Sequence, residues 1–390
     1  MTVTQISTLL NTIAGEVLGT SAVVNEDLSN VVTLGEAVFA NTKVDNYVKS
    51  LIDHVGKMIF VDRPYRGRAP SVLYDSWEWG SVLQKVQMDI PQAKDNQTWS
   101  LTDGSTYNQD IFYKPTITVK FFNAKDAYSI PMSFTTDQVK ESFTSPDQMT
   151  RFVSMIYSTI DKAMTLYFDS VIMRTINNFT AVTLNNYNSS GTFTGTGNTR
   201  AINLLALFNA DRATADKLTA AQAMKNPDFL RFASYQIRTW TDRMTGESKA
   251  FNIGAKVRYT PTEDMHVVML SEFASAASVY LYGDTYHKED VKMPVAETVP
   301  FWQGSGTDYA FTSTSAINVK INDGTATAKS VSASGILCVA FDTMALGVFN
   351  PQRKTTTHYN AAGDFTNNFF KASAEFFNDT DENFIVFYIM

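Results

Sequence analysis

The sequence predicts an α+β protein with two or three lobes, and three stretches of the chain support that prediction. Residues 77–122 resemble a long two-stranded excursion, residues 146–177 one long helix, and the terminal run NFIVFYIM a buried strand. The length of 390 residues favours more than one lobe, because a single hydrophobic core rarely serves a chain of that size.

The first stretch is predicted to be a β-hairpin. Residues 77–90 alternate with period two, and ITVKFF at residues 117–122 is predicted to be the returning strand. The polar segment between them contains the turn signal Asp103-Gly104. Because an isolated hairpin is only marginally stable in water, we expect this one to lie on a partner. The two faces of its first strand are Val82, Val86, Met88 and Ile90 on one side, and Leu83, Lys85, Gln87 and Asp89 on the other.

A long helix is predicted to begin at Pro146. Ser145 and Gln148 form a capping box, in which the serine hydroxyl accepts from a free backbone N–H and the glutamine reaches back. Apolar residues then recur at helical spacing as far as Ile176. At 1.5 Å per residue the helix would be about 45 Å long, which suits a large or extended lobe. An ordinary long core helix is compatible with the same pattern.

A second lobe is expected after residues 185–200, a loop rich in Gly, Ser, Thr and Asn. Its strands and helices are mixed, so by itself this lobe is α/β or α+β. Its predicted elements are a helix from Asn226-Pro227 to Gly246, a strand over 265–270, a helix over 271–282, a hairpin that turns at Asn322-Asp323-Gly324, and a strand over 336–342.

The tail is predicted to return to the first lobe. FFKASAEFF at residues 369–377 alternates as a strand, and residues 378–381 turn it into the terminal run. NFIVFYIM, residues 383–390, is too short to span a bilayer and is rich in β-branched and aromatic residues. We therefore expect a strand that is buried on both faces and completes the core of the first lobe.

Composition narrows the classes of function. The net charge of −7 argues against a protein that grips nucleic-acid phosphates, since such proteins carry basic patches. Cys338 is the one cysteine, so no internal disulfide can form, and its apolar neighbours predict a buried, inert thiol. The first ten residues lack a secretory signal pattern, and no apolar run reaches the length of a membrane span.

No catalytic, metal or cofactor site is predicted. The four histidines lack metal-ligand spacing, and FWQGSGTD at residues 301–308 lacks the G-x-S-x-G pattern of a serine nucleophile. His287 with Asp284 is the best candidate for a metal or enzyme site, but a solvated loop is the better explanation of that segment. The linker VDRPYRGRAPS is interpreted as a solvated arm or as a contact for an acidic partner surface. Its arginines are Arg63, Arg66 and Arg68.

The order of these parts resembles the HK97-like major capsid proteins of tailed bacteriophages. Members of that family have an N-terminal arm, a β-hairpin called the E-loop, a peripheral P-domain with a long spine helix, and an inserted axial A-domain. IPMSF at residues 130–134 and GVFNPQRKTTTHYNAAGDFTNNFF at residues 347–370 are similar to segments that lead into the spine helix and back into the P-domain. The resemblance implies an arm over 1–70, an E-loop over 71–122, a first part of the P-domain over 123–197 with its spine helix at 146–177, an A-domain over 198–348, and return strands of the P-domain over 349–390.

The resemblance implies a structural protein without a cofactor, and not an enzyme. Its copies would assemble into pentamers and hexamers of an icosahedral head, each E-loop lying on a neighbour. That head would enclose double-stranded DNA without binding it specifically, and it would assemble in the host cytoplasm and become the virion capsid. Scaffolding, portal and decoration proteins are implied as partners, and a membrane is not. The residues implied to contact neighbouring subunits are Arg63, Arg66, Arg68, Trp77, Trp79, Lys85 and Lys94.

Three other interpretations stay open at this point. An encapsulin-like protein shell has the same fold without a phage. An enzyme of unknown type would use His287 and Asp284. A β-rich phage tail protein or surface adhesin would form small oligomers of fixed size and no shells.

Overall fold

A computed structural model describes the chain over residues 7–8, 11–12, 25, 70–75, 82–91, 93–95, 97–107, 110–135, 146–187, 199–282, 296–303, 315–321, 329–363 and 365–390. The predicted arm over residues 1–70 lies almost entirely outside these ranges. The capping residue Ser145, most of the predicted loop at 185–200, and the predicted turn at 322–324 also lie outside them.

The described residues form fourteen strands and five α-helices. The strands are β1 (Leu73–Tyr74), β2 (Leu83–Met88), β3 (Ile117–Phe122), β4 (Ala124–Thr135), β5 (Ala201–Asn203), β6 (Met265–Leu270), β7 (Glu297–Val299), β8 (Ile317–Ile321), β9 (Lys329–Ala333), β10 (Ile336–Asp342), β11 (Leu346–Phe349), β12 (Gln352–Asn360), β13 (Phe365–Asn378) and β14 (Phe384–Tyr388). The helices are α1 (Pro146–Tyr187), α2 (Leu204–Asn209), α3 (Ala220–Ala223), α4 (Pro227–Met244) and α5 (Ser271–Tyr282).

Helix α1 begins where the sequence predicts and continues past the predicted end at residue 177. Its 42 residues make a rod of about 63 Å. The sequence after residue 177 hides the helical period, because Asn177, Thr180 and Thr183 occupy buried positions where apolar residues are expected. From residue 159 onward, where side-chain burial is described, the fully buried apolar side chains of the helix are Ile160, Met164, Phe168, Val171, Ile172, Ile176, Phe179, Ala181 and Leu184.

In the first sheet, β12 and β11 pair with successive stretches of one edge of β13, β4 pairs with the opposite edge, and β1 pairs with β11. Strand β13 contains the predicted FFKASAEFF strand and is antiparallel to β4 from Phe365 to Phe376. Phe370, Ala372 and Ala374 are buried at alternate positions, which confirms the predicted period of two. Helix α1 contacts β4, β11 and β13, so the rod and this sheet form one layered unit.

The second sheet has the order β5-β14-β10-β6-β7. The predicted strands over 265–270 and 336–342 are confirmed as β6 and β10, and the predicted helix over 271–282 is confirmed as α5. Helix α4 is also confirmed. The Oδ1 atom of Asn226 accepts from the backbone N–H of Phe229 at 3.0 Å, with Pro227 at the first helical position.

The terminal strand β14 lies in this second sheet. It runs parallel to β5 and antiparallel to β10, so both of its edges are paired, and all five of its residues are buried. The prediction of a strand buried on both faces is therefore confirmed. The hydrogen-bonding partners of β14 belong to the segment 198–348, whereas its Phe384 packs on Phe179 of α1, so its assignment to the first lobe stays a prediction.

Helix α1 joins the two sheets into one continuous core. Phe179 of α1 stacks on Phe384 of β14 with ring centroids 4.2 Å apart, and Phe384 stacks on Phe341 of β10. A single hydrophobic cluster contains the buried apolar side chains of α1 from Phe168 to Leu184, those of the second sheet, and three residues of the first sheet, Leu346, Val348 and Ala374. The start of β10 also depends on a close approach to the chain end. Gly335 has φ +72°, and a Cβ there would overlap the backbone of Ile389.

Removing residues 384–390 should abolish folding. Burial of each large apolar side chain contributes about 1.5–3 kcal/mol, so the loss of this strand is as large as the roughly 5–15 kcal/mol by which a typical domain is stable. Circular dichroism should show no cooperative thermal transition for the truncated chain. Deleting Met390 alone is the matched control, since its side chain is 40% exposed and the transition should be retained. A near-normal transition after removal of residues 384–390 would contradict this account.

Candidate assembly surface

Strands β2 and β3 form an antiparallel hairpin, a two-stranded sheet that is separate from the two larger sheets. Their register pairs Leu83 with Phe122, Lys85 with Lys120, and Met88 with Ile117. The predicted returning strand at 117–122 is confirmed, and β2 is shorter than the predicted range of 77–90. We call residues 83–122 the hairpin. Strand β1 precedes it but pairs with β11 of the first sheet.

The outer face of the hairpin is apolar and exposed. Its apolar side chains are 38–65% accessible to solvent, although each is of a type that proteins normally bury. Contiguous apolar patches of this kind mark interaction surfaces in soluble proteins. The apolar residues of the outer face are Val82, Val86, Met88 and Ile90 before the turn and Ile117, Val119 and Phe121 after it, and the polar Gln84 lies on the same face opposite Phe121.

The inner face of the hairpin is mainly polar and lies on the protein's own body. Its side chains are partly buried there, and the charged ones find partners of opposite charge. Phe122 adds one apolar contact, with its ring centroid 5.5 Å from that of Phe377. The hairpin therefore directs its polar side inward and its apolar side to solvent, which reverses the usual arrangement of a sheet packed on a core.

Three carboxylates bind the two lysines of the inner face. We call Asp379, Asp381 and Glu382 the carboxylate clamp. They belong to the tail turn, residues 379–383, which connects β13 to β14. Lys85 Nζ lies 2.7 Å from Asp379 Oδ2 and 2.8 Å from Glu382 Oε1. Lys120 Nζ lies 2.6 Å from Asp379 Oδ1 and 2.7 Å from Asp381 Oδ2.

These contacts favour the charged forms of Asp379 and Lys120. Burial alone would raise the pKa of Asp379, but hydrogen bonds from Lys120 and Lys85 outweigh it and hold the pKa below its usual range. Burial alone would lower the pKa of Lys120, but hydrogen bonds to Asp379 and Asp381 raise the pKa above its usual value. The stabilisation from Asp379 is thus lost only as pH falls through its lowered pKa, and that from Lys120 only as pH rises through its raised pKa.

A second row of polar contacts lies farther along the inner face. Lys256 Nζ lies 3.0 Å from Asp89 Oδ2, and Arg258 Nη2 donates to Gln87 Oε1 at 3.0 Å. Both cations come from the segment between α4 and β6. That segment approaches the tail turn closely at Gly254, where a Cβ would overlap the carboxylate of Asp381.

The tip of the hairpin also exposes large apolar side chains. Trp99 is 97% exposed and Phe112 is 84% exposed, values that are unusual for aromatic residues without a partner. Lys94 lies over the ring of Tyr113, with Nζ 4.4 Å from the ring centroid. The tip is polar in most of its residues but exposes these large aromatic side chains in addition to those of the outer face.

The structure describes two of the seven residues that were implied to contact neighbouring subunits. Lys94 lies at the hairpin tip, and Lys85 lies in the clamp of its own chain, so an intersubunit contact of either remains a prediction. The remaining five lie outside the described residues: Arg63, Arg66, Arg68, Trp77 and Trp79.

The clamp carboxylates were missed as functional residues at the level of sequence. Asp379 and Asp381 were interpreted only as turn residues. The available signal was the density of carboxylates, since three occur within residues 379–382 immediately before the most apolar strand of the chain. That signal indicates a charged contact but does not identify the lysines, which lie far away in sequence.

A polar cavity of about 410 Å³ lies where α1 meets β4 and β8. Three of its charged side chains form ion pairs. Arg174 binds Asp126, and Lys125 Nζ lies 3.6 Å from Glu375 Oε1. Lys320 also lines the cavity.

Other sequence-level expectations about sites concern the histidines and the cysteine. Within the described ranges, no group of three His, Cys, Asp or Glu side chains could hold a metal ion. His287 and Asp284 lie outside those ranges. Cys338 is fully buried, and burial raises the pKa of its thiol, so it is protonated at neutral pH as predicted. Among the helices of the described segments, none is long and apolar enough to cross a membrane.

Comparison with solved structures shows the same fold in phage particles. A chain in the capsid structure of Staphylococcus phage Andhra superimposes with a TM-score of 0.52 at 9% identity, covering 85% of this chain and 86% of that chain. A chain in the structure of the head fiber and inner core protein gp22 of bacteriophage P68 gives a TM-score of 0.51 at 8% identity, with the same coverage of both chains. No curated protein matches the sequence.

The family match covers nearly the whole chain. The family model described as Phi29-like phage major capsid protein matches residues 10–388, which include the hairpin, α1, both sheets and the tail turn. That family consists of structural proteins of the virion capsid and not of enzymes. The chain belongs to the Phi29-like phage major capsid protein family.

Proposed function

We propose that copies of this chain assemble into the pentamers and hexamers of an icosahedral phage head, and that the outer face of each hairpin lies on a neighbouring copy. The observation that carries this proposal is the exposed apolar face of β2 and β3, whose side chains are up to 65% exposed at Phe121. Because a major capsid protein forms a shell from many copies of itself, we infer that a second copy of the chain covers this face.

The geometry of the hairpin supports a head-to-tail contact. The body of its own chain covers the inner face and the outer face is exposed, so we infer that the outer face covers a different surface on the neighbour. Contacts of that kind are heterologous, and they close into rings when the rotation between copies is a simple fraction of a turn. Rings of five and six are the capsomers of an icosahedral shell.

We infer further contacts from the sequence. The linker arginines Arg63, Arg66 and Arg68 would pair with carboxylates of adjacent subunits, and Trp77 and Trp79 would provide buried anchors beside the outer face. Lys94, at the hairpin tip, would reach the same neighbour. Lys85 could touch a neighbour only through the 14% of its side chain that the clamp leaves accessible.

The proposed head encloses double-stranded DNA without binding it specifically. A net charge of −7 would limit adhesion of packaged DNA to the wall. Scaffolding, portal and decoration proteins are the further partners of such a head, and assembly would take place in the host cytoplasm.

The alternatives differ in what they would form. An encapsulin-like shell would have similar capsomers but no portal, and a tail protein or adhesin would form small oligomers. Membership of a family of phage major capsid proteins favours the phage head over both.

Replacing Phe121 by lysine should block assembly without unfolding the subunit. The side chain is 65% exposed, so its loss should shift the unfolding midpoint by only about 1–2 °C. A lysine on a face that a neighbour covers would be desolvated without a partner, which costs several kcal/mol. Negative-stain electron microscopy and size-exclusion chromatography should show shells or rings for the wild type and single subunits for Phe121→Lys.

Tyr235→Lys is the matched control. Tyr235 is an aromatic residue that is 64% exposed on α4, away from the hairpin, and this variant should assemble as the wild type does. Normal shells from Phe121→Lys, or equal loss of assembly in both variants, would argue against the outer face as the assembly contact.

Removing the aromatic side chains of the tip should weaken assembly, but less than Phe121→Lys does. Trp99→Ser and Phe112→Ser delete groups that are almost fully exposed, so the thermal transition of the subunit should be unchanged. The concentration of subunit needed for shells should rise roughly tenfold for each substitution, as for loss of a moderate interface contact. An unchanged assembly threshold measured by light scattering would exclude the tip from the interface.

A further inference from the structure

The two lysines of the inner face oppose each other directly. Lys85 and Lys120 are cross-strand partners in the register of the hairpin, and both point toward the body. Like charges at directly opposite positions destabilise a pair of strands. Among the described residues the hairpin also has only two strands, and an isolated sheet of two strands is only marginally stable in water. It therefore contains a repulsion at its centre that some other group must offset.

Asp379 offsets that repulsion. Its two carboxylate oxygens are divided between the lysines, with Oδ2 accepting from Lys85 at 2.7 Å and Oδ1 accepting from Lys120 at 2.6 Å. The Asp379 side chain has no solvent exposure, so water screens these contacts little. Asp381 and Glu382 each add a second anion to one lysine, and the contact with Asp379 is the one that spans both strands.

The backbone holds Asp379 in a fixed position. Its N–H donates to the carbonyl oxygen of Ala345 at 2.7 Å, and the N–H of Glu382 donates back to the carbonyl oxygen of Asp379 at 3.2 Å. At the other end of the tail turn, the N–H of Phe384 donates to the carbonyl oxygen of Phe251 at 2.9 Å. The turn is thus attached to the core through β13 and β14, whereas the hairpin is attached to the turn mainly through charges.

We propose that the carboxylate clamp sets the direction of the hairpin, with Asp379 as a positioning residue for assembly. The clamp holds the inner face on the body and thereby directs the outer face toward a neighbour. This inference rests on the proposed function for its biological meaning, and the clamp itself is testable in the single subunit. A subunit without the clamp keeps its core and presents its assembly surface in many directions.

Hydrogen–deuterium exchange of the single subunit, measured by mass spectrometry, tests the clamp before any assembly takes place. Asp379→Asn keeps the size of the side chain and removes the negative charge between the lysines. Exchange in β2 and β3 should become roughly tenfold faster, because local opening of the hairpin becomes easier. Exchange in β6, β10 and β14 should stay as in the wild type.

Glu375→Gln is the matched control. Glu375 lies in β13 near the tail turn and pairs with Lys125 at 3.6 Å, so the same change of charge is made outside the clamp. Its hairpin exchange should equal that of the wild type. Faster hairpin exchange in this control, or equally faster exchange in β10 and β14 of Asp379→Asn, would reduce Asp379 to a general stabilising role and overturn the proposal.

A second variant distinguishes positioning from simple loss of an ion pair. Adding Lys85→Met to Asp379→Asn removes the opposed lysine. Lys120 then keeps Asp381, and Glu382 keeps Arg258 at 3.8 Å. Hairpin protection should recover toward the wild-type value, and assembly should recover with it. A further loss of protection in the double variant would overturn the inference, since the lysines would then not be in conflict.

The two proposals can fail separately. If Asp379→Asn leaves hairpin exchange unchanged, the clamp does not position the hairpin, whatever the subunits assemble into. If the exchange results are as expected but Phe121→Lys assembles normally, the clamp stands and the outer face is not the assembly contact.

Discussion

The carboxylate of Asp379 lies between the ammonium groups of Lys85 and Lys120, and the placement of the hairpin on the body depends on this contact. The anion is fully buried, and removal of its two cations would leave a buried charge with the backbone N–H of Asp381, at 3.1 Å, as its remaining hydrogen-bond donor among the described residues. The tail turn that carries it also meets the core on two further sides. The backbone N–H of Asp342 donates to the carbonyl oxygen of Asn383 at 3.1 Å, and Asn383 Nδ2 donates to Thr260 Oγ1 at 3.1 Å. One turn therefore joins the hairpin, the second sheet and the segment before β6.

The direction of the hairpin faces follows from this arrangement. A sheet that packs on a core normally buries its apolar side, but here the body offers carboxylates and cations at the contact. Only the polar side of the hairpin can satisfy them, so the apolar side is directed to solvent. In a phage major capsid protein, whose copies must cover one another, that exposed side is best explained as surface that a second copy removes from water. The charges that hold the inner face on its own chain thereby leave the apolar outer face exposed for contact with another chain.

The local elements were largely predictable because their sequence patterns are short and strong. The strand at 117–122, the capped helix from Pro227, strands β6 and β10, and helix α5 were all identified from period, caps and turn residues. The end of α1 was not, since buried Asn177, Thr180 and Thr183 interrupt the apolar period there. The sheet that receives β14 was not predicted either, because an all-apolar strand indicates burial but carries no information about its neighbours.

What the chain specifies locally is thus the strand period of the hairpin, the two residue sets on its faces, and the buried character of the final strand. Which face turns inward was decided only by the tertiary structure. Alternation with period two is the same whichever face is buried, so the choice depends on what the hairpin meets. Here the hairpin meets the carboxylate of Asp379, which lies 294 positions after Lys85 in the sequence. Asp379 belongs to the turn before β14, and β14 is held in place between β5 and β10. The contact joins parts of the chain that no local pattern relates.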